Sequence, residues 1–141
     1  MNRRISAWAA IVCIVTACST AGQPPLVASA VRVVEPRPGT TTGAAYLTLS
    51  NPGGAPVTVT AVTSPQYDAV HLHESVAEDG VARMRPLPSL LIAPGASERL
   101  EPGGKHLMLL GRRDDAVPVT LQFWSGATLL LAVEANAGID D

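Results

Sequence analysis

From about residue 30 onward, short runs rich in Val, Leu and Thr alternate with clusters of Gly, Pro, Asn and Asp. In Tyr46-Leu47-Thr48-Leu49-Ser50 and Val57-Thr58-Val59-Thr60 the apolar residues recur at every second position. That period places them on one face of a strand and the hydroxyls on the other. Strands are predicted over 30–35, 43–50, 57–63, 69–76, 80–86, 90–93, 97–101, 105–110, 117–124 and 128–135. Turn residues separate them, as in Ser50-Asn51-Pro52-Gly53-Gly54 and Glu101-Pro102-Gly103-Gly104. No run has the period of an amphipathic helix. Many short strands with regular punctuation predict an all-β, Greek-key β-sandwich of one domain.

One hairpin can be read to its register. If Asp79-Gly80 forms a two-residue type I′ turn, Glu78 faces Val81, Ser75 faces Met84 and His73 faces Pro86. His73 and Met84 then become diagonal neighbours on one face, and Glu74 stands opposite Arg85 as a cross-strand ion pair.

The chain has 141 residues with 12 Gly, 12 Pro and 2 Cys, and its formal net charge is −2. No cluster of Lys and Arg is interleaved with aromatics, so nucleic acid is not an expected partner. The first residues stand apart from the rest. Arg3 and Arg4 precede an apolar run over 5–17 that is too short for a comfortable membrane span. The run ends Val15-Thr16-Ala17-Cys18, which resembles a bacterial lipobox. Residues 1–17 are therefore expected to be a lipoprotein-type signal peptide, with Cys18 the lipidated residue. An ordinary signal peptide cut near Ala21 or Ala28 is the alternative. Residues 18–28 are expected to be a tether and 29–137 the folded domain, exported and anchored in the membrane through the lipid on Cys18, facing the periplasm or the cell exterior. Processing removes Cys13, and acylation consumes Cys18. The mature domain then has no thiol for a disulfide, a nucleophile or a metal–thiolate bond.

The remaining chemistry lies in His71, His73, Met84, His106 and Met108. Alternation puts His106 and Met108 on one strand face, as it does His71 and His73. Two imidazoles and two thioethers brought together make a soft set that favours Cu(I) over zinc, calcium or magnesium. Methionine does not form disulfides, so such a set suits an oxidising compartment. Each residue also has a structural reading: Met108 and Met84 as core filler, His106 as a half-buried histidine, His71 and His73 as surface residues.

The spacing of His73, Met84 and His106-Leu107-Met108 matches the H-x10-M-x21-H-x-M signature of the PCuAC-type periplasmic copper chaperones. The text around it, Leu72-His73-Glu74, Met84-Arg85-Pro86 and Pro102-Gly103-Gly104-Lys105-His106, resembles that family too, as does Thr42-Gly43-Ala44-Ala45-Tyr46 upstream. The similarity spans roughly residues 30 to 135. The resemblance implies a cupredoxin-like sandwich, copper held by His73, Met84, His106 and Met108, and delivery to the CuA centre of cytochrome oxidase, often beside a Sco-type protein. The chain departs from many members in having Val31-Arg32-Val33-Val34 where an aromatic often stands and in lacking a His/Met-rich tail, which argues against a second copper site.

Three functions follow. The first is a non-enzymatic Cu(I) chaperone, with copper storage as its variant. The second is a zinc or Cu(II) binder using His71, His73, His106 and Glu74. The third is a metal-free interaction module.

Overall fold

In the computed structural model, residues 25–115 and 117–138 are described. They form strands β1 (Val27–Val34), β2 (Thr42–Ser50), β3 (Val57–Val59), β4 (Ala61–Thr63), β5 (Tyr67–Glu78) and β6 (Val81–Pro86). The second half adds β7 (Leu90–Ile92), β8 (Ser97–Leu100), β9 (Lys105–Arg112), β10 (Val119–Ser125), β11 (Thr128–Ala135) and β12 (Ala137–Gly138). No helix occurs among these residues. The architecture is the expected all-β sandwich. One continuous ladder runs β11-β10-β4-β5-β9-β2-β1-β12, with β6 added to β5 and β8 to β2, while β3 and β7 pair separately. Placing β9 between β5 and β2 requires the crossing connections of a Greek key.

Strand identity follows from alternation. In β2 the side chains of Ala45, Leu47 and Leu49 are buried, whereas Ala44, Tyr46, Thr48 and Ser50 are partly exposed. In β10 the same rule buries Val119, Leu121 and Phe123. These residues, with Leu107 and Leu109 of β9, fill the space between the layers. Burying each such side chain contributes about 1.5–3 kcal/mol, so the inward face of every strand is strongly specified.

The structure departs from the expected strands at identifiable places. The single strand expected over 57–63 is two: β3 pairs with β7, and β4 pairs with β5 and β10. The break is at Thr60, whose backbone N–H donates to the Trp124 carbonyl at 2.8 Å. A strand that serves two ladders has to bend where it changes partner. β1 begins at Val27 instead of 30, because Leu26 is fully buried and draws the chain into the core. β12 was not anticipated; it is two residues long and pairs in parallel with β1. The expected signal peptide over 1–17 and the lipidation residue Cys18 lie outside the described residues.

The hairpin of β5 and β6 has the anticipated register. Glu78 faces Val81, Ser75 faces Met84 and His73 faces Pro86. Asp79 and Gly80 both have positive φ, 51° and 77°, as a type I′ turn requires. The ion pair is not the one expected. Arg85 is opposite Glu74 in the ladder, yet its guanidinium bonds Glu78, which also draws in Arg83 at 3.6 Å. All three side chains share the face that carries Glu74, and Glu78 at the hairpin end receives both cations.

Asn51 joins the two ladders. It is 1% exposed; its amide donates to the carbonyls of Ala55 at 2.8 Å and Ile92 at 3.0 Å, and its oxygen accepts from the Gly53 N–H at 3.0 Å. Replacing it with Ala leaves these groups without partners in a dry site. Asn51→Ala is expected to cost about 3 kcal/mol, read as a lower urea midpoint in equilibrium unfolding.

Candidate metal centre

The ladder between β5 and β9 determines where the histidines stand. His71 is opposite Met108, Leu72 opposite Leu107, and His73 opposite His106. Directly opposed residues share a face of the sheet, and successive residues alternate between faces. Leu107, fully buried, therefore fixes the core side, and His71, His73, His106 and Met108 occupy the other face as two adjacent cross-strand pairs. The imidazole centroids of His73 and His106 are 6.0 Å apart, edge to face at 85°. Those of His71 and His73 are also 6.0 Å apart, tilted by 56°.

Met84 belongs to the same face by register but not to the same square. It is opposite Ser75, two residues further along β5 than His73, on a strand with all six residues exposed; Met84 itself is 59% exposed. Of the four residues singled out for copper, the structure thus gathers His73, His106 and Met108, and sets Met84 beside them on the hairpin. His71 joins the gathered group.

The two imidazoles are presented differently. His106 is buried, 9% exposed, and its Nδ1 is 3.0 Å from the Gly104 carbonyl. A carbonyl can only accept, so in the neutral ring Nδ1 carries the proton and Nε2 the lone pair. The same carbonyl accepts the Ser75 backbone N–H at 3.0 Å, which ties the turn before β9 to β5. Gly104 is the positioning group that sequence reasoning missed. The Pro102-Gly103-Gly104 turn was visible, but not that its last carbonyl aims at the ring two residues on. In His73 the Nδ1 atom is shut off from solvent and has no hydrogen-bond partner. Buried polar nitrogens are rarely left so, and a bound cation would satisfy this one.

Cavities flank the square. His71 and His73 line one of about 370 Å³ with Val62, Pro86 and Leu87. His106 and Met108 line another of about 490 Å³ with Tyr46, Thr42 and Arg37. Beyond Met108, Arg112 anchors the end of β9 through Glu35 at 2.7 Å and the Tyr67 hydroxyl at 2.8 Å.

Glu74 does not belong to the site. It is opposite Lys105 and Arg85, on the face away from the imidazoles. Among the described residues no three His, Cys, Asp or Glu side chains are grouped so as to hold an ion. A complete shell here therefore has to include a thioether.

A β-sandwich with this topology is the fold of PCuAC domains. The chain superposes on the copper-bound PCuAC domain from PmoF2 with a TM-score of 0.66 at 14% identity, covering 82% of this chain and 94% of that one. On apo-DR1885 from Deinococcus radiodurans, solved in solution, the TM-score is 0.61 at 23% identity, with 99% and 97% covered. The chain belongs to the LpqE-like family, described as "Putative lipoprotein LpqE-like", whose profile matches residues 26–135. A curated relative from Leifsonia xyli subsp. xyli (strain CTCB07), named "Putative lipoprotein Lxx21020", is 33% identical over 96 residues. That match takes in 64% of this chain and spans 58% of the relative's length.

Burial lowers the pKa of His73 from the ordinary 6.5, and the neighbouring His106 and His71 rings lower it further, because each disfavours a positive charge there. The unfolded chain binds this proton more readily than the folded one. The contribution of the neutral ring to stability is therefore complete above about pH 6.5 and is lost as the pH falls through the folded-state value. In the metal-free protein, NMR titration of the ring protons should give His73 an apparent pKa below 6.5.

Proposed function

We propose that the protein is an extracytoplasmic metallochaperone that holds Cu(I) with His73, Met84, His106 and Met108 and passes it to a partner protein. The observation that carries this reading is the opposed pair His73 and His106, with one imidazole locked by Gly104 and the other holding an orphaned nitrogen, beside Met108 on one sheet face. The copper in the neighbouring PmoF2 domain supports the choice of metal. Thioether sulfur is neutral and soft, so it retains Cu(I) without the charge that would attract magnesium or calcium. Met84 on its exposed strand can close on the ion and withdraw again, which lets an incoming ligand from an acceptor replace it. No bond of a substrate is made or broken, so the role is transfer and not catalysis.

Delivery to the CuA centre of cytochrome oxidase, beside a Sco-type protein, is the acceptor implied by the PCuAC resemblance; storage of copper uses the same site. The lipoprotein names of the family and its relative support export and a lipid anchor, which Cys18 would carry. Residues 1–17 would then be the signal and 18–25 the tether, shorter than the expected 18–28 because Leu26 is buried and Val27 opens β1, with the copper-binding domain running on to β12.

In a titration against a Cu(I) chelator, the full chain in detergent should take one equivalent of copper. His73→Ala and His106→Ala should each weaken binding by more than the about 10–100-fold typical of losing a ligand's outer-shell partner. Met108→Leu should also weaken it and reduce the sulfur count in X-ray absorption. Affinity unchanged in all three variants would remove the copper reading. A zinc or Cu(II) site made of imidazoles alone would instead be insensitive to Met108→Leu.

A further inference from the structure

We propose that His71 is a further copper ligand, one that takes the ion's fourth position in exchange with Met84. The inference rests on the copper reading above and concerns the order of ligand movements on the same site.

His71 is placed as a ligand is placed. Its partner across the ladder is Met108, just as His106 is the partner of His73, so the four form a closed two-by-two set on adjacent strands. Its ring lies as far from His73 as the His106 ring does, 6.0 Å in each case. Two imidazoles bound to one ion at a metal–nitrogen distance of about 2.0 Å have ring centres at most about 6.4 Å apart. Both ring pairs fall inside that span.

Met84 starts from further away. It is diagonal to His73, about 7–8 Å between backbones, and separated from β9 by the whole width of β5. Strands are spaced by about 4.8 Å, so its backbone is about 10 Å sideways from the His106 strand. Its thioether reaches the ion only by extending across Ser75. As they stand the three rings are not grouped closely enough to hold an ion, so His71 has to turn toward the His73–His106 pair; with that turn β5 and β9 alone supply three nitrogens and one sulfur.

Two states follow. With Met84 drawn in, the ion has two nitrogens and two sulfurs and His71 is released. With Met84 withdrawn, as when a partner covers the hairpin, His71 fills the vacated position and the copper is retained. The exchange is of neutral donors, so neither charge nor oxidation state changes. A chaperone built this way keeps its cargo during hand-over without a vacant coordination position.

The test is a Cu(I) competition titration with X-ray absorption on the full chain in detergent, comparing wild type, M84L, H71A and H71A/M84L. His71 is exposed, so its loss leaves the core untouched, and H71Q serves as a second variant that keeps a polar side chain on the strand. M84L should hold copper within about tenfold of wild type, with one sulfur and three nitrogens, whereas H71A/M84L and H71Q/M84L should bind more than about a hundredfold more weakly. Double variants no weaker than M84L, or an M84L shell with only two nitrogens, would overturn the role of His71 while leaving the chaperone reading intact. A wild-type chain that takes up no copper would overturn both.

Discussion

The register of the β5–β9 ladder is the constraint on which the site depends. A one-residue slip of β9 would send His106 and Met108 inward, away from His71 and His73, and turn Leu107 and Leu109 out to solvent. Leu107 and Leu109 are completely buried, and each contributes about 1.5–3 kcal/mol that such a slip would forfeit. A single ladder hydrogen bond is worth only about 1 kcal/mol net, so the leucines and not the hydrogen bonds decide the register. The core residues of β9 thus hold the imidazoles in place from the opposite face of the sheet.

Among the described residues there is no thiol, and the soft donors on this face are imidazoles and thioethers. Except for the initiator, every Met in the chain, and every His, stands on this one face. These donors bear no charge when neutral, and the nearby carboxylate Glu74 is turned away. Glu35, which lines the cavity beside His106 and Met108, is taken up by Arg112, so the face offers few of the free hard oxygen ligands that calcium and magnesium need.

Much of this was legible in the sequence. Alternation in β2 and β10 and the Asp79-Gly80 turn depend only on local chemistry, and the whole β5–β6 register followed from that turn. His73, Met84, His106 and Met108 stood out because His and Met are scarce. What was hidden depended on contacts distant in sequence. The opposition of His71 and Met108 needs β9 to be laid beside β5, which no local rule states. The break at Thr60 needs Trp124 as its partner, 64 residues away. The choice of Glu78 over Glu74 by Arg85 reflects the reach of side chains along a face, a matter the ladder register does not determine.

The use of the Gly104 main chain to orient His106 has an evolutionary consequence. A side-chain partner could be erased by one base change, but every amino acid supplies a carbonyl, so substitution at position 104 does not delete the acceptor itself. The weak point moves next door to Gly103, whose φ of 81° disfavours any other residue. Drift in this lineage would therefore be tolerated at the atom that aims the ring and penalised at the neighbour that bends the chain toward it.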